Sequence, residues 1–446
     1  MKRFLSRVLP LLLSFGLILN CTGCSTVLVL AGKARENSEA SSSVISESSA
    51  SSGVISTPVP TEDGDLRAFY TDVANAESVT VMVYMIGSDL ESEDGSATDD
   101  LLEMADAALS ENIHLVLQTG GTGTWWNDGW TDDESERFVI ENGDMTLLQS
   151  LGSMNMTDAD TLSDFIRFSA ESYPADRYEL ILWDHGGGTM TGFGYDELYE
   201  DTSLTLSSLS TALYNGGVQF DFIGFDACLM ATAEVAYALD PYADYLIASE
   251  ESEPGEGWAY KNWLTMLAED PAVPTAELGK KLADDFLEAY IFADMPTLSV
   301  LDLRYVPELY AALESYWGSA YTALQSGSYG AFSQVRSNVR EFGDNEYDQV
   351  DLSDLATLTK QSLSLGTEDD VQAAVQNMVV YNVTYEKSAA GIAVYFPCLW
   401  PDYYGDTRFE MTCVGFPESY FEFYDKFMNT MLSGQSLSQS DIAFYS

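Results

Sequence analysis

Between Gln219 and Tyr237 the chain reads QFDFIGFDACLMATAEVAY, and this stretch decides the fold. Phe220, Phe222 and Phe225, with Ile223 among them, form a short apolar run bounded by polar residues. That is the pattern of a strand buried on both faces. Asp226, Ala227 and Cys228 follow, and Leu229 to Ala236 reads as helix. Cys228 is therefore expected where a strand ends and a helix begins. A helix N-terminus carries partial positive charge, which favours thiolate over thiol. In open α/β sheets, chemistry collects in the crevice beyond the carboxyl ends of the strands. The alternative for Cys228 is a small buried hydrophobe, the commoner role of a free cysteine.

A second stretch has the same form. Tyr178 to Trp183 is another buried-strand pattern, and it ends in Asp184-His185-Gly186-Gly187-Gly188. The chain has two histidines. His114 lies inside the apolar run Ile113 to Leu117 and reads as a satisfied strand residue. His185 stands at a strand's carboxyl end, before three glycines that let backbone approach a ligand closely. If the two strands are parallel neighbours, His185 and Cys228 face one crevice. A base beside a nucleophilic thiol is the minimum for acyl transfer. Gly186 can offer a backbone N–H to an oxyanion with no side chain in the way.

The paired segments LILWDHGGG and DFIGFDACLM resemble the histidine and cysteine motifs of the clostripain family of cysteine peptidases. Tyr84 to Glu91, Asp100, Glu103-Met104, Gln118 to Gly121, Ser252 to Trp258 and Ala390 to Pro397 extend the likeness in the same order, over roughly Val79 to Pro397. The resemblance implies a caspase-like α/β/α sandwich and a catalytic dyad of His185 and Cys228. The N–H groups of Gly186 and Cys228 would hold the oxyanion. It also implies that an acid near the cysteine, here Asp226, helps to bind Arg or Lys before the cut, with Glu253 and Glu256 as further candidates. Legumain-like relatives carry an acid near this point without preferring basic residues. Some clostripain relatives depend on calcium; the acidic loops permit a site, but no segment specifies one.

The 446 residues allow more than one domain. Nineteen Lys+Arg against 71 Asp+Glu give a formal charge of −52, a surface that repels nucleic acid and anionic lipid. Such charge attracts basic polypeptides; it also simply keeps an exported protein soluble. Residues 1–23 read as an export signal, with Lys2, Arg3 and Arg7 before the apolar run Val8 to Leu19. Cys21-Thr22-Gly23-Cys24-Ser25 resembles a bacterial lipoprotein box with Cys24 as the lipidated residue, although Cys21 stands where leucine is usual. Residues 24–68 are then expected to form a Ser-rich disordered tether. Cys398 and Cys413 could pair outside the cell, but two cysteines make no framework, and both are read as reduced.

The order of patterns over 69–265 alternates strand and helix, which argues for a largely parallel sheet covered on both faces. Thr157-x-x-Asp160 reads as a helix start, and Arg137 to Leu151 as a hairpin turning at Asn142-Gly143. Trp125, Trp126 and Trp130 lie in a long loop that either lines a cleft or packs on its own core. From 266 to 446 the pattern is mostly helical, with strands at Thr297–Leu301 and Gly391–Phe396 that could complete the sheet. Phosphate-loop, dinucleotide, EF-hand and Gly-x-Ser-x-Gly patterns are absent, and two separated histidines fit no usual zinc spacing.

These readings converge on an exported, lipid-anchored cysteine endopeptidase. An inactive surface binding module of the same fold, or a Cys–His amidase, are the other classes open to such a chain. No Lys or Arg occurs between Arg177 and Lys261, so an enzyme specific for basic residues is expected not to split itself between the two motifs. Self-cleavage would instead fall in the tether, at Lys33, Arg35 or, by expectation, after Arg67.

Overall fold

The computed structural model describes residues 66–433, apart from 128, 142, 200–201, 291–295 and 386–388. The export signal, Cys24, Lys33, Arg35 and nearly all of the tether lie outside the described residues. Five runs of wholly or almost wholly buried residues make the centre of the main sheet: β1 (Val79–Ile86), β2 (Ile113–Gly120), β5 (Arg177–Trp183), β6 (Phe220–Asp226) and β7 (Ala243–Ala248). All five are parallel. The hairpin β3 (Ser135–Glu141) and β4 (Asp144–Gly152) extends one edge, and β8 (Thr297–Asp302) and β11 (Val379–Thr384) the other, all antiparallel.

The strand order is β11-β8-β7-β6-β5-β1-β2-β3-β4. The chain leaves β1 towards β2 and later returns to β5 on the other side of β1, so the topological switch lies between β1 and β5. Ligands bind beyond the strands' carboxyl ends at such a point.

Alternation along β1 divides the core. Met82, Tyr84 and Ile86 face one layer, with the helices 159–172, 206–216, 233–239, 306–325 and 418–432. Val79, Val81, Val83 and Met85 face the other, with the helices 96–105, 260–269 and 275–289. Successive strand side chains point to opposite faces, so a strand buried on both reads as a continuous apolar run. The result is a mixed α/β sandwich about a largely parallel sheet.

Three expectations shift. The helix expected to start at Thr157 is capped by Asp158, whose carboxylate accepts the Asp160 N–H at 2.8 Å. β8 joins the main sheet, but β12 (Ala393–Tyr395) does not. It pairs with β10 (Gln349–Asp351), which also pairs with β9 (Glu341–Phe342), in a separate antiparallel sheet. Arg67 does not hang free in a tether. Its guanidinium binds Asp240 at 3.1 Å and Asp244 at 2.7 Å beside the start of β7, away from the strands' carboxyl ends.

The small sheet docks through a buried acid pair. The Glu250 carboxylate accepts the Gly391 N–H at 2.8 Å, and Asp351 accepts the Ala390 N–H at 2.6 Å. The other Glu250 oxygen has no hydrogen-bond donor among the described residues and faces the Asp351 carboxyl. Two ionised carboxylates cannot share that space, so a proton sits between them. Burial, then the Asp351 charge, holds Glu250 well above the carboxylate range, and burial raises Asp351 to about 6. Raised folded values mean that the folded state binds the extra protons. Their contribution to stability is full below the unfolded values near 4 and is lost as pH rises through 6 and beyond. The melting temperature should therefore fall from pH 5 to pH 8, and Glu250→Gln should flatten part of that fall. Calorimetric scans giving equal slopes for both proteins would refute the shared proton.

Candidate functional site

Strand register builds the site. Trp183 pairs with Asp226 across β5 and β6, so His185 and Cys228, each two residues further on, emerge level with one another. Met85 pairs with Trp183 across β1 and β5, which brings Gly87-Ser88-Asp89 to the same place. The loops after β5 and β6 touch: a Cβ at Gly186 would lie 2.0 Å from the Cys228 carbonyl oxygen, so backbone stands against backbone and only glycine fits. A bridge to Phe193 uses the His185 carbonyl and the Gly187 N–H, leaving the Gly186 N–H outside that ladder.

Cys228 is not at a helix N-terminus. The helix is Ala233–Leu239, and its cap is Thr232, whose hydroxyl accepts the Val235 N–H at 3.1 Å. Residues 228–231 instead bind the segment after β7: the Leu229 N–H donates to Glu251 O at 3.2 Å and the Ala231 N–H to Ser249 O at 2.8 Å. Leu229 is buried with φ +68°, a costly conformation for a large side chain, and it sets the direction of the turn that presents the thiol. The helix dipole therefore does not polarise Cys228. Its sulfur accepts the Glu253 N–H at 3.2 Å, and the positive partner acting on it is His185.

His185 is 5% exposed and Cys228 8%, so what acts on them is local. The His185 Nε2 lies 2.7 Å from an Asp89 carboxylate oxygen. Burial disfavours the imidazolium, but the Asp89 hydrogen bond and the charges of Asp184, Asp89 and Cys228 outweigh it and raise His185 to about 9. Asp184 is also buried and accepts from the Ser88 hydroxyl at 2.7 Å and from the Tyr195 N–H. Burial pushes it up to about 7, against the pull of the His185 charge.

Beside Cys228 three carboxyls are buried together. Asp226 accepts from the Tyr260 hydroxyl at 2.7 Å and the Trp258 N–H at 3.1 Å, and Glu253 accepts the Trp258 indole N–H at 3.2 Å. Asp100 accepts the Trp183 indole N–H at 2.6 Å. A Cβ at Gly257 would touch both Asp100 and Asp226, 2.7 and 3.1 Å away. Burial raises all three, Asp226 to about 7 and the others well above their usual range. Asp226 and Glu253 share a hydrogen bond, and the charges of Glu103, Asp99, Cys228 and of one another raise the group further. Glu256 is exposed, and its charge acts on Tyr290 together with those of Asp226, Asp100 and Glu253.

Sequence reasoning assigned no role to Asp89 or Asp100. Both lie in the segments quoted above, but their contacts span 96 and 83 residues. His114 lies on β2 with Glu141 3.5 Å away, clear of the site. Trp125 stacks on Trp130, which packs against Phe138, whereas Trp126 is exposed. Cys398 and Cys413 are free thiols. Among the described residues no cluster suits a metal ion, and no helix is long and apolar enough to cross a membrane.

The C11 peptidase model, described as the clostripain family, matches residues 83–438. The chain belongs to the clostripain family. Clostripain from Hathewaya histolytica is 28% identical over 217 residues, a match covering 41% of each protein, so the chain spans about two fifths of that relative's length. Among solved structures, a secreted C11 cysteine protease from Bacteroides thetaiotaomicron bound to an irreversible peptide inhibitor superposes with a TM-score of 0.58. It is 20% identical and covers 76% of this chain and 99% of its own. An inactive zymogen C11 protease from Parabacteroides distasonis also gives 0.58, at 22% identity over 78% of this chain and 98% of its own. At these identities the likeness is one of fold.

Proposed function

We propose that this clostripain-family chain is an exported, lipid-anchored cysteine endopeptidase that cuts after Arg or Lys. The register that brings His185 level with Cys228 carries the reading. The Cys228 sulfur attacks the scissile carbonyl, and the oxyanion is held by the N–H groups of Gly186 and Cys228. His185 protonates the leaving amine as the C–N bond breaks. Water, losing its proton to His185, then hydrolyses the thioester. The imidazolium at about 9 suits this order, because a charged His185 both favours the thiolate and holds the proton that the amine needs.

The preference for basic residues rests on Asp226, Glu253 and Asp100, three carboxyls buried together beside Cys228 and raised by burial and by one another. A guanidinium entering among them would bring an opposite charge and pair bidentately with a carboxylate. Glu256 is exposed and would meet a basic substrate side chain from the solvent side of that group. Labelling with an Arg-directed covalent thiol probe, followed by peptide mapping, tests the whole reading. Modification of Cys228 alone is expected; labelling elsewhere, or none, overturns it.

Two outcomes follow from the N-terminal sequence. Cys24→Ser should release the protein from the membrane fraction, since stable anchoring needs more than one lipid chain and only a lipidated Cys24 would provide it. Equal partition of wild type and variant would refute the anchor. Self-cleavage, if it occurs, should fall at Lys33 or Arg35, because Arg67 is tied to Asp240 and Asp244. Mass spectrometry of the active protein beside Cys228→Ala should show no cut between His185 and Cys228; a two-chain active form would contradict the specificity.

A further inference from the structure

Asp89 lies at the switch point of the sheet, on the turn from β1 into the helix Ser88–Asp94. Its carboxylate is 2.7 Å from His185 Nε2. The turn is fixed rather than adaptable. Ser88 is fully buried with φ +48°, a strained value for a residue with a side chain, and its hydroxyl binds Asp184 at 2.7 Å. Strain of this kind persists only where the surroundings over-determine it, and it gathers at functional sites.

We infer that Asp89 is a positioning residue for His185: it fixes the ring by binding Nε2 and so leaves Nδ1 as the nitrogen that exchanges protons on the Cys228 side. The inference rests on the peptidase reading above. A carboxylate at Nε2 selects the tautomer with the proton on that nitrogen and stabilises the imidazolium when Nδ1 is also protonated. The other groups facing the ring are Asp184 from its own strand end, Cys228 after β6, and Tyr195, whose ring centre is 6.3 Å away. Asp89 binds the ring directly, through Nε2 at 2.7 Å. Asp89 responds in kind: burial opposes its charge, but the bond to His185 and the His185 charge hold it below the usual carboxylate value.

The test uses the full chain, with kcat and KM for an Arg peptide amide measured from pH 5 to pH 10 and the rate of Cys228 alkylation by iodoacetamide over the same range. Asp89→Asn should lower kcat about 10- to 100-fold with KM changed by less than about twofold. Its alkaline limb should move down from about 9, towards the ordinary histidine value, by roughly one unit or more. Asp89→Glu should recover part of kcat together with the high alkaline limb, a recovery that a merely structural role would not give. Both variants are read below their melting transitions. An Asp89→Asn protein with wild-type kcat and an unmoved alkaline limb overturns the inference. Turnover by Cys228→Ala would instead overturn the peptidase reading itself, so the two failures are distinguishable.

Discussion

Cys228→Ala is expected to abolish peptide hydrolysis, and His185→Ala to lower kcat by roughly 10⁴- to 10⁶-fold, because a nucleophile and its base act as one unit. The two variants should behave alike in turnover and differently in stability. Removing the Cys228 sulfur deletes a small group whose hydrogen bonds are to the Glu253 backbone N–H and carbonyl, and the melting temperature should change less than in His185→Ala. Removing the His185 ring takes away the charge beside buried Asp184, whose value near 7 already reflects desolvation. With that cation gone, ionised Asp184 is costlier, so His185→Ala should lose stability most clearly above pH 7. Single-turnover assays and thermal melts on both purified proteins check this. Near-wild-type turnover by Cys228→Ala would falsify the assignment.

The strands that carry the site are legible in the sequence because each is buried on both faces, which turns a strand into an unbroken apolar run. Tyr178 to Trp183 and Phe220 to Phe225 are readable for that reason, and their parallel pairing follows from the alternation of strand and helix. The position of Cys228 relative to the next helix is not legible. Leu229 to Ala236 has helical composition throughout, and only Thr232, a good cap in the middle of it, marks the true start at Ala233. What overrides propensity is tertiary: the Ser249–Glu253 segment takes the N–H groups of Leu229 and Ala231 before a helix can. Asp89 escapes notice for another reason. Its partner lies 96 residues away, and no local pattern reports a contact that only sheet order creates. Ala393–Tyr395 has the composition of a main-sheet strand, yet the place beside β8 is taken by β11, and the short strand pairs with β10 instead.

Asp226→Asn should cost more in specificity than any other single change in the acidic pocket. Asp226 is the nearest of the three carboxyls in sequence to Cys228, and replacing its carboxylate by an amide removes the charge while keeping the size and one acceptor oxygen. The loss of a charged, bidentate partner is expected to lower kcat/KM for Arg substrates by about 10²-fold, near 3 kcal/mol. A matched norleucine substrate, which has the length but no charge, should lose little. The pH dependence separates charge from shape. Burial raises Asp226 to about 7, so in the free enzyme it is largely protonated at pH 6 and ionised at pH 8. The preference for Arg over norleucine should therefore grow as pH rises through 7 in the wild type and stay flat in Asp226→Asn. Arg, which stays charged throughout, contributes nothing to that change. The measurement is kcat/KM for the two peptides at pH 6 and pH 8 in both proteins. An Asn variant that keeps the full Arg preference, or a peptide library that favours Asn, Asp or apolar residues before the cut, would remove Asp226 from the pocket and leave the three buried acids to a structural role.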